Sequence, residues 1–320
     1  LVLFGSGDWN DGMNAVGKDG TGESVFTTLF IIRVMKDFLG LSKLAGDVGF
    51  AEFLGTKIRE YTDSAEKNCW DGDWYLRGFY DDGSALGSKE NDECKIDLLP
   101  QVFSVIAGGF SESRVNKALS SVEKYLVDAE SKTVRLFTPP FEKTERNPGY
   151  IKGYLPGVRE NGGQYTHAAL WYAYALFEKN LPDKAFEILS YLNPLSHTDT
   201  AADVSLYKKE PYVIAGDVYD DGTGGWTFYT GSAGWYFRTV TEKLLGISVK
   251  KGKMYLSPCL PSTWDGYFAT CRFDGTVIDI SVEVSATRPL LVDGMPADGV
   301  LLDGGYHRVR CSIGKNCSKS

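Results

Sequence analysis

Histidine is scarce in this 320-residue chain. Three histidines and six scattered cysteines, with no CxxC pair and no Cys/His cluster at ligand spacing, leave little from which a zinc site could be built. No run approaches the roughly 18 uninterrupted apolar residues of a membrane span, and no charged-then-apolar signal segment opens the chain. Positive charge is also in deficit: 34 Lys and Arg stand against 42 Asp and Glu, a net charge of -8. That balance opposes broad attraction to a nucleic-acid backbone or an anionic membrane surface and leaves room only for a local cationic pocket. The cysteines (Cys69, Cys94, Cys259, Cys271, Cys311, Cys317) read as reduced thiols in a cytoplasmic protein. An initiator Met is missing from Leu1-Val2-Leu3-Phe4-Gly5, which runs straight into the densest motif. Termini are usually loosely held, so the reading is a piece of a longer protein.

What is present is ordinary for a globular core, 43% hydrophobic and 24% charged, but rich in aromatics: 7 Trp, 18 Tyr and 17 Phe, many beside Gly, Asp and Asn. A pyranose ring offers apolar C–H faces and hydroxyls, so sugar sites need that mixture, although core filling accounts for most aromatics. Val25, Leu29, Ile32, Met35 and Leu39 recur at helical spacing up to an interruption at Gly40. A second amphipathic run covers 48–68, with Phe50, Phe53, Leu54, Ile58 and Tyr61 on one face. Residues 70–86 read as a hairpin or ordered loop, and further helices are expected over 96–107, 113–127, 165–179, 183–192 and from Thr230 to a stop at Gly246. The Pro- and Gly-rich stretch 137–163 has no periodicity, and loops of that length are usually functional. After Ile247 the pattern alternates with period two. The fold class expected is mainly α with a β tail: part of an (α/α)6 toroid over 1–246, then a C-terminal β-sandwich over 247–320.

Three loops carry chemistry. Asp8-Trp9-Asn10-Asp11 places two carboxylates, an amide and an indole in a Gly-flanked loop before a helix. A glycosidic oxygen leaves poorly unless it is protonated, so Asp11 is the candidate acid, kept protonated by burial against Trp9; a helix-entry scaffold or a calcium loop remains open on the motif alone. Arg159-Glu160-Asn161-Gly162-Gly163-Gln164-Tyr165-Thr166-His167 combines donors and acceptors suited to hydroxyls, and Thr230-Gly231-Ser232 starts a helix whose N–H groups can receive an anion or simply be capped. Acid, aromatic frame and anion cup together suggest phosphorolysis, since phosphate is already an anionic nucleophile and needs no base. An inverting hydrolase would need a second carboxylate, for which Asp8, Glu23 and Glu160 are candidates.

In their order and separations these loops resemble the inverting cellobiose and chitobiose phosphorylases of glycoside hydrolase family 94, and among them the phosphorylase-like C-terminal region of cyclic β-1,2-glucan synthases. The resemblance extends through Trp70-Asp71-Gly72-Asp73-Trp74-Tyr75, Pro148-Gly149-Tyr150-Ile151-Lys152-Gly153-Tyr154, Glu210-Pro211-Tyr212-Val213 and Leu302-Asp303-Gly304-Gly305-Tyr306-His307. It implies Asp11 as general acid, a phosphate site from His167, Thr230 and Gly231, and sugar subsites lined by Trp9, Tyr154, Arg159 and Glu160. It further implies a β-linked glucoside or oligoglucan and inorganic phosphate as substrates, no cofactor, no metal, no nucleic-acid partner, and membrane attachment only through other parts of a larger protein; a homodimer is compatible with it. Departures are Phe26 and Phe228 where Trp is common, and a start inside the barrel, which leaves fewer helices than the toroid requires and exposes apolar faces meant to be covered. A hydrolase on the same scaffold and a non-catalytic carbohydrate-binding fragment are the alternatives.

Overall fold

The computed structural model describes residues 1–314, so Cys317 lies outside the described residues. Two compact units divide the chain: Leu1–Ala175 with Tyr191–Ala233, and Leu176–Ser190 with the chain from Gly234 onward.

The first unit is mostly helical. Helix α1 (Val25–Leu44) starts where the Ser24 hydroxyl accepts the Thr27 N–H, and it buries Val25, Leu29, Ile32 and Met35 on the stripe expected. It continues through Gly40, contrary to expectation. An interior Gly costs only about 1 kcal/mol against Ala, and with no Pro nearby the flanking turns carry it. Helix α2 (Val48–Asn68) is capped by Asp47 and buries only Ala51, Leu54 and Ala65. Phe50 and Phe53, expected on its buried face, are exposed and stack on one another; with Phe30, Val34, Phe38 and Leu41 they leave an open apolar face on α1 and α2.

Helix α3 (Leu98–Ala107) begins at Asp97, whose carboxylate accepts the Leu99 N–H at 2.8 Å, and packs on α1 and on α4 (Glu112–Tyr125). Short antiparallel strands at Val2–Leu3, Glu23–Ser24, Gly78–Phe79 and Ala85–Leu86 form one sheet, the last two making the expected hairpin. Helix α5 (Thr166–Glu178) follows the 137–163 stretch. Sequence periodicity missed the short helix Ala201–Tyr207, which is held by a reciprocal Thr200/Asp203 capping box; seven residues are too few to show a stripe.

The second unit carries a helix at Pro182–Tyr191 and two sheets. Ile247–Lys250, Lys253–Leu256 and Val300–Leu301 form an antiparallel sheet of three. In the other sheet Thr276–Val284 lies antiparallel to Gly266–Phe273 and parallel to Tyr306–Ile313, with Ile278, Ile280, Val282, Val309 and Cys311 buried on alternate positions. A helical region is thus followed by a β region, as the change of period implied. Among the described residues Cys69, Cys94, Cys259, Cys271 and Cys311 are free thiols, and no helix is long and apolar enough to cross a membrane.

Candidate active site

The acid-bearing loop is shaped by its own polar groups. Asp8 Oδ1 accepts the Asn10 N–H at 2.9 Å, and the chain then enters a 3-10 turn over Asp11–Met13. Gly7 has φ +123°, and a Cβ there would stand 3.0 Å from Asp11 Cα, so only glycine admits this turn. Asp11 is exposed rather than buried against Trp9. Trp9 instead packs its indole among Tyr165, His167, Trp171 and Phe26, at centroid distances of 5.0, 5.6, 5.5 and 6.5 Å.

Asp11 takes its neighbour from the aperiodic stretch. A second 3-10 turn, Tyr150–Gly153, packs on the Asp11–Met13 turn, and the Tyr150 N–H reaches Asn14 Oδ1 at 3.1 Å. The Tyr150 phenol stands beside the Asp11 carboxylate; desolvation and that carboxylate push it up to about 12, so it keeps its proton at neutral pH. The stretch itself is ordered by buried Asn161, whose amide pairs with the Phe141 backbone at 2.8 Å in both directions, and by Glu93, which accepts the N–H groups of Glu142, Lys143 and Thr144.

Beyond Asn161 the sugar-type residues gather. Arg159, at φ 54°, lays its guanidinium 5.1 Å from the Tyr154 ring and 5.5 Å from Trp226, and its Nε is 3.4 Å from Glu160 Oε2. Trp226 is 55% exposed, so a broad aromatic face is open to ligand above the cation. Asp217, buried behind it, accepts the Trp226 N–H at 2.8 Å, and burial raises its carboxyl.

The anion-type residues meet in a cavity of about 290 Å³ lined by Tyr165, His167, Gly216, Tyr229, Thr230, Gly231 and neighbours. Helix α6 (Thr230–Arg238) points its positive end there. A Cβ on Gly231 would lie 3.1 Å from His167 Nδ1, so the absent side chain lets backbone and imidazole line one space. Burial lowers His167 to about 4, which makes the imidazole neutral at pH 7 and able to donate one N–H without a competing charge.

The eight residues singled out from the sequence fall in two sets joined by the loop that carries Trp9 and Asp11: Asp11 through Tyr150 and Tyr154 to Arg159 and Glu160, and Trp9 through His167 to Thr230 and Gly231. Tyr150, Trp226, Trp171 and Asp217 were not singled out. Tyr150 sits in a motif-dense loop and Trp226 in a Gly-rich one, and that place could have flagged them; Trp171 lies within α5 and Asp217 in a short strand, where no local signal marked them.

The candidate bases of a hydrolase are otherwise engaged. Asp8 is buried, its side chain 2% exposed, and held by Arg77 at 2.7 Å and the Ser24 hydroxyl at 2.7 Å; desolvation opposes its charge, but Arg77 prevails and lowers its carboxyl below the ordinary range. Glu160 pairs with Arg159, and Glu23 sits within the small sheet.

Residues 1–246 match the catalytic domain of the glycosyl hydrolase 94 superfamily. The chain is 45% identical over 286 residues to the cyclic beta-(1,2)-glucan synthase NdvB of Rhizobium meliloti (strain 1021), covering 88% of this chain and 10% of that protein. It is 31% identical to a 3-O-beta-D-glucopyranosyl-beta-D-glucuronide phosphorylase of Paenibacillus borealis, over 83% of this chain and 35% of the relative. With an N,N'-diacetylchitobiose phosphorylase of Vibrio furnissii it shares 27% identity, over 92% and 37%. The chain thus spans only a minor part of each relative's length. Among solved structures, one titled sialidase superposes with TM-score 0.57 at 14% identity, over 84% of this chain and 24% of that one, which is a likeness of fold alone.

Proposed function

Because the chain belongs to the glycosyl hydrolase 94 superfamily, we propose that it contributes the acid and the phosphate cup of an inverting glycoside phosphorylase acting on a β-linked glucoside, of the β-1,2-glucan or cellobiose type. The observation that carries this reading is the cavity shared by His167, Thr230 and Gly231 against Trp9, in the same unit as an exposed Asp11 whose loop-mate Asp8 is locked in an ion pair. Asp11 gives its proton to the glycosidic oxygen as the C1–O bond breaks. A phosphate oxygen attacks C1 from the opposite face, and the β-glucoside becomes an α-sugar-1-phosphate with no base required. Neutral His167 and the α6 backbone would receive the phosphate, and Trp9, Tyr154, Arg159 and Glu160 the sugar. Phosphate is the sole co-substrate in this scheme. The family reading brings with it an (α/α)6 toroid, a β-sandwich at 247–320 and, with the free cysteines, a cytoplasmic place.

The test is to incubate the intact native polypeptide with β-1,2-oligoglucan or cellobiose, with and without phosphate. Phosphate-dependent release of α-glucose-1-phosphate is expected; free reducing sugar at a rate indifferent to phosphate would sink the reading. Two substitutions should separate the subsites. His167→Ala should raise the phosphate KM about tenfold, the worth of one good hydrogen bond to an anion, with a smaller change in glucan KM. Trp226→Ala should do the reverse, raising glucan KM roughly fivefold by removing a stacking face while phosphate KM stays put. Initial-rate titrations of each substrate at saturating levels of the other measure both.

A further inference from the structure

We infer that the buried Asp8–Arg77 ion pair is a positioning device for the general acid, fixing the loop that presents Trp9 and Asp11 against the starts of α1 and α3. The inference rests on the phosphorolytic reading and adds residues that touch no substrate. Asp11 is exposed on a short 3-10 turn whose start, at Asn10, carries no side-chain cap, so little in the turn itself fixes where the carboxyl stands. Asp8, three positions earlier, is the anchored point. Its Oδ1 meets Arg77 Nη2 at 2.7 Å and the Asn10 N–H at 2.9 Å, and its Oδ2 accepts the Ser24 hydroxyl at 2.7 Å.

Each partner is itself pinned to a helix start. Ser24 Oγ caps α1 by accepting the Thr27 N–H, and the Arg77 carbonyl accepts the N–H of Val25, the first residue of α1. On the far side Arg77 Nε stands 3.2 Å from Asp97 Oδ2, and Asp97 caps α3. The guanidinium is fully buried, 5.0 Å from the Phe4 ring and 5.6 Å from Phe26, and Phe26 in turn packs on Trp9. A buried ion pair adds little net stability compared with apolar packing. What this one supplies is a fixed distance between the acid loop and two helices, and a misplacement of 1 Å can cost a reaction about 10²-fold.

The charge count selects the probe. Two carboxylates face one guanidinium, so Asp8→Asn leaves Arg77 balanced by Asp97 and strands no buried charge, while it loosens the loop. In the intact native polypeptide, Asp8→Asn should retain its thermal midpoint and lose about 10²-fold in kcat on β-1,2-oligoglucan, with phosphate KM changed by less than about threefold. β-Glucosyl fluoride discriminates acid placement from general damage. Phosphate forms the same bond at C1, but the fluoride departs with little need of a proton, so Asp8→Asn and Asp11→Asn should both keep this activity to within about fivefold.

Equal losses on both substrates, or full oligoglucan activity in a folded Asp8→Asn protein beside an inactive Asp11→Asn, would overturn the inference and leave the phosphorylase reading standing. Wild-type protein that forms no sugar phosphate from either substrate would remove both. Should Asp8→Asn not fold, Ser24→Ala removes one bond to the same carboxylate and must show the same substrate split with a smaller loss.

Discussion

Asp11→Asn is expected to lower kcat for phosphorolysis of a β-linked glucan by about 10³-fold, the middle of the range for removing a general acid, with little change in the KM of phosphate. The amide keeps the shape of the carboxyl but has no proton to give the departing oxygen. In the proposed reaction phosphate attacks as an anion already formed, so the loss should not be recovered by raising pH, as it would be if the missing group were a base. Coupled detection of α-glucose-1-phosphate measures the effect. A variant within threefold of wild type would show that the proton comes from elsewhere. Tyr150 is the adjacent group, but its phenol is pushed up to about 12 and is a poor proton source at neutral pH.

The second large effect is on stability. Arg77→Met should destabilise the fold by about 3–5 kcal/mol, because it leaves the Asp8 and Asp97 carboxylates buried together with no counter-charge. A drop of roughly 10 °C in the thermal midpoint follows for a domain of this size. The pH dependence has a definite sign. Burial already raises Asp97 to about 6, so between the unfolded carboxylate pKa and that value the folded protein holds a proton that the unfolded chain releases. This contribution is present below the unfolded pKa and is lost as pH rises through about 6. In Arg77→Met Asp97 should move further up and Asp8, held low by Arg77 in the wild type, should rise with it, so the deficit against wild type should shrink at pH 4–5 and widen at pH 8. Calorimetric scans across that range check it. A midpoint equal to wild type at pH 8 would mean that the triad is not the buried charge cluster described. Converting Asp8 and Asp97 to Asn in the same background should restore most of the stability, because no buried charge then remains.

Much of the helical pattern was legible because amphipathic runs of ten residues or more repeat often enough to show. The stripe Val25, Leu29, Ile32 and Met35 is an example. Phe50 and Phe53 show the limit: periodicity says that a face is apolar, and cannot say whether anything covers it. Both are exposed while Leu54 and Ala65 are buried. Asp11 shows a second limit. Nearby Trp9 suggested burial, yet residues two apart in a tight turn can point apart, and the indole went to the His167 side while the carboxyl stayed exposed.

Sequence by itself determined the residue types of the site and the order of its loops, because hydroxyl and anion recognition demand particular donors, acceptors and glycines at short range. It also determined the change from helical to alternating period near Ile247. Tertiary structure alone showed that the two carboxylates differ in setting, Asp8 locked in an ion pair and Asp11 exposed. Asp8 and Asp11 are chemically identical and three residues apart, and what separates them is Arg77, 69 positions along the chain, buried within the hairpin. An ion pair across that distance leaves no local pattern, since its energy depends on which groups the fold removes from water together. The same holds for Gly231 and His167, where a missing Cβ acquires meaning only once two distant loops meet.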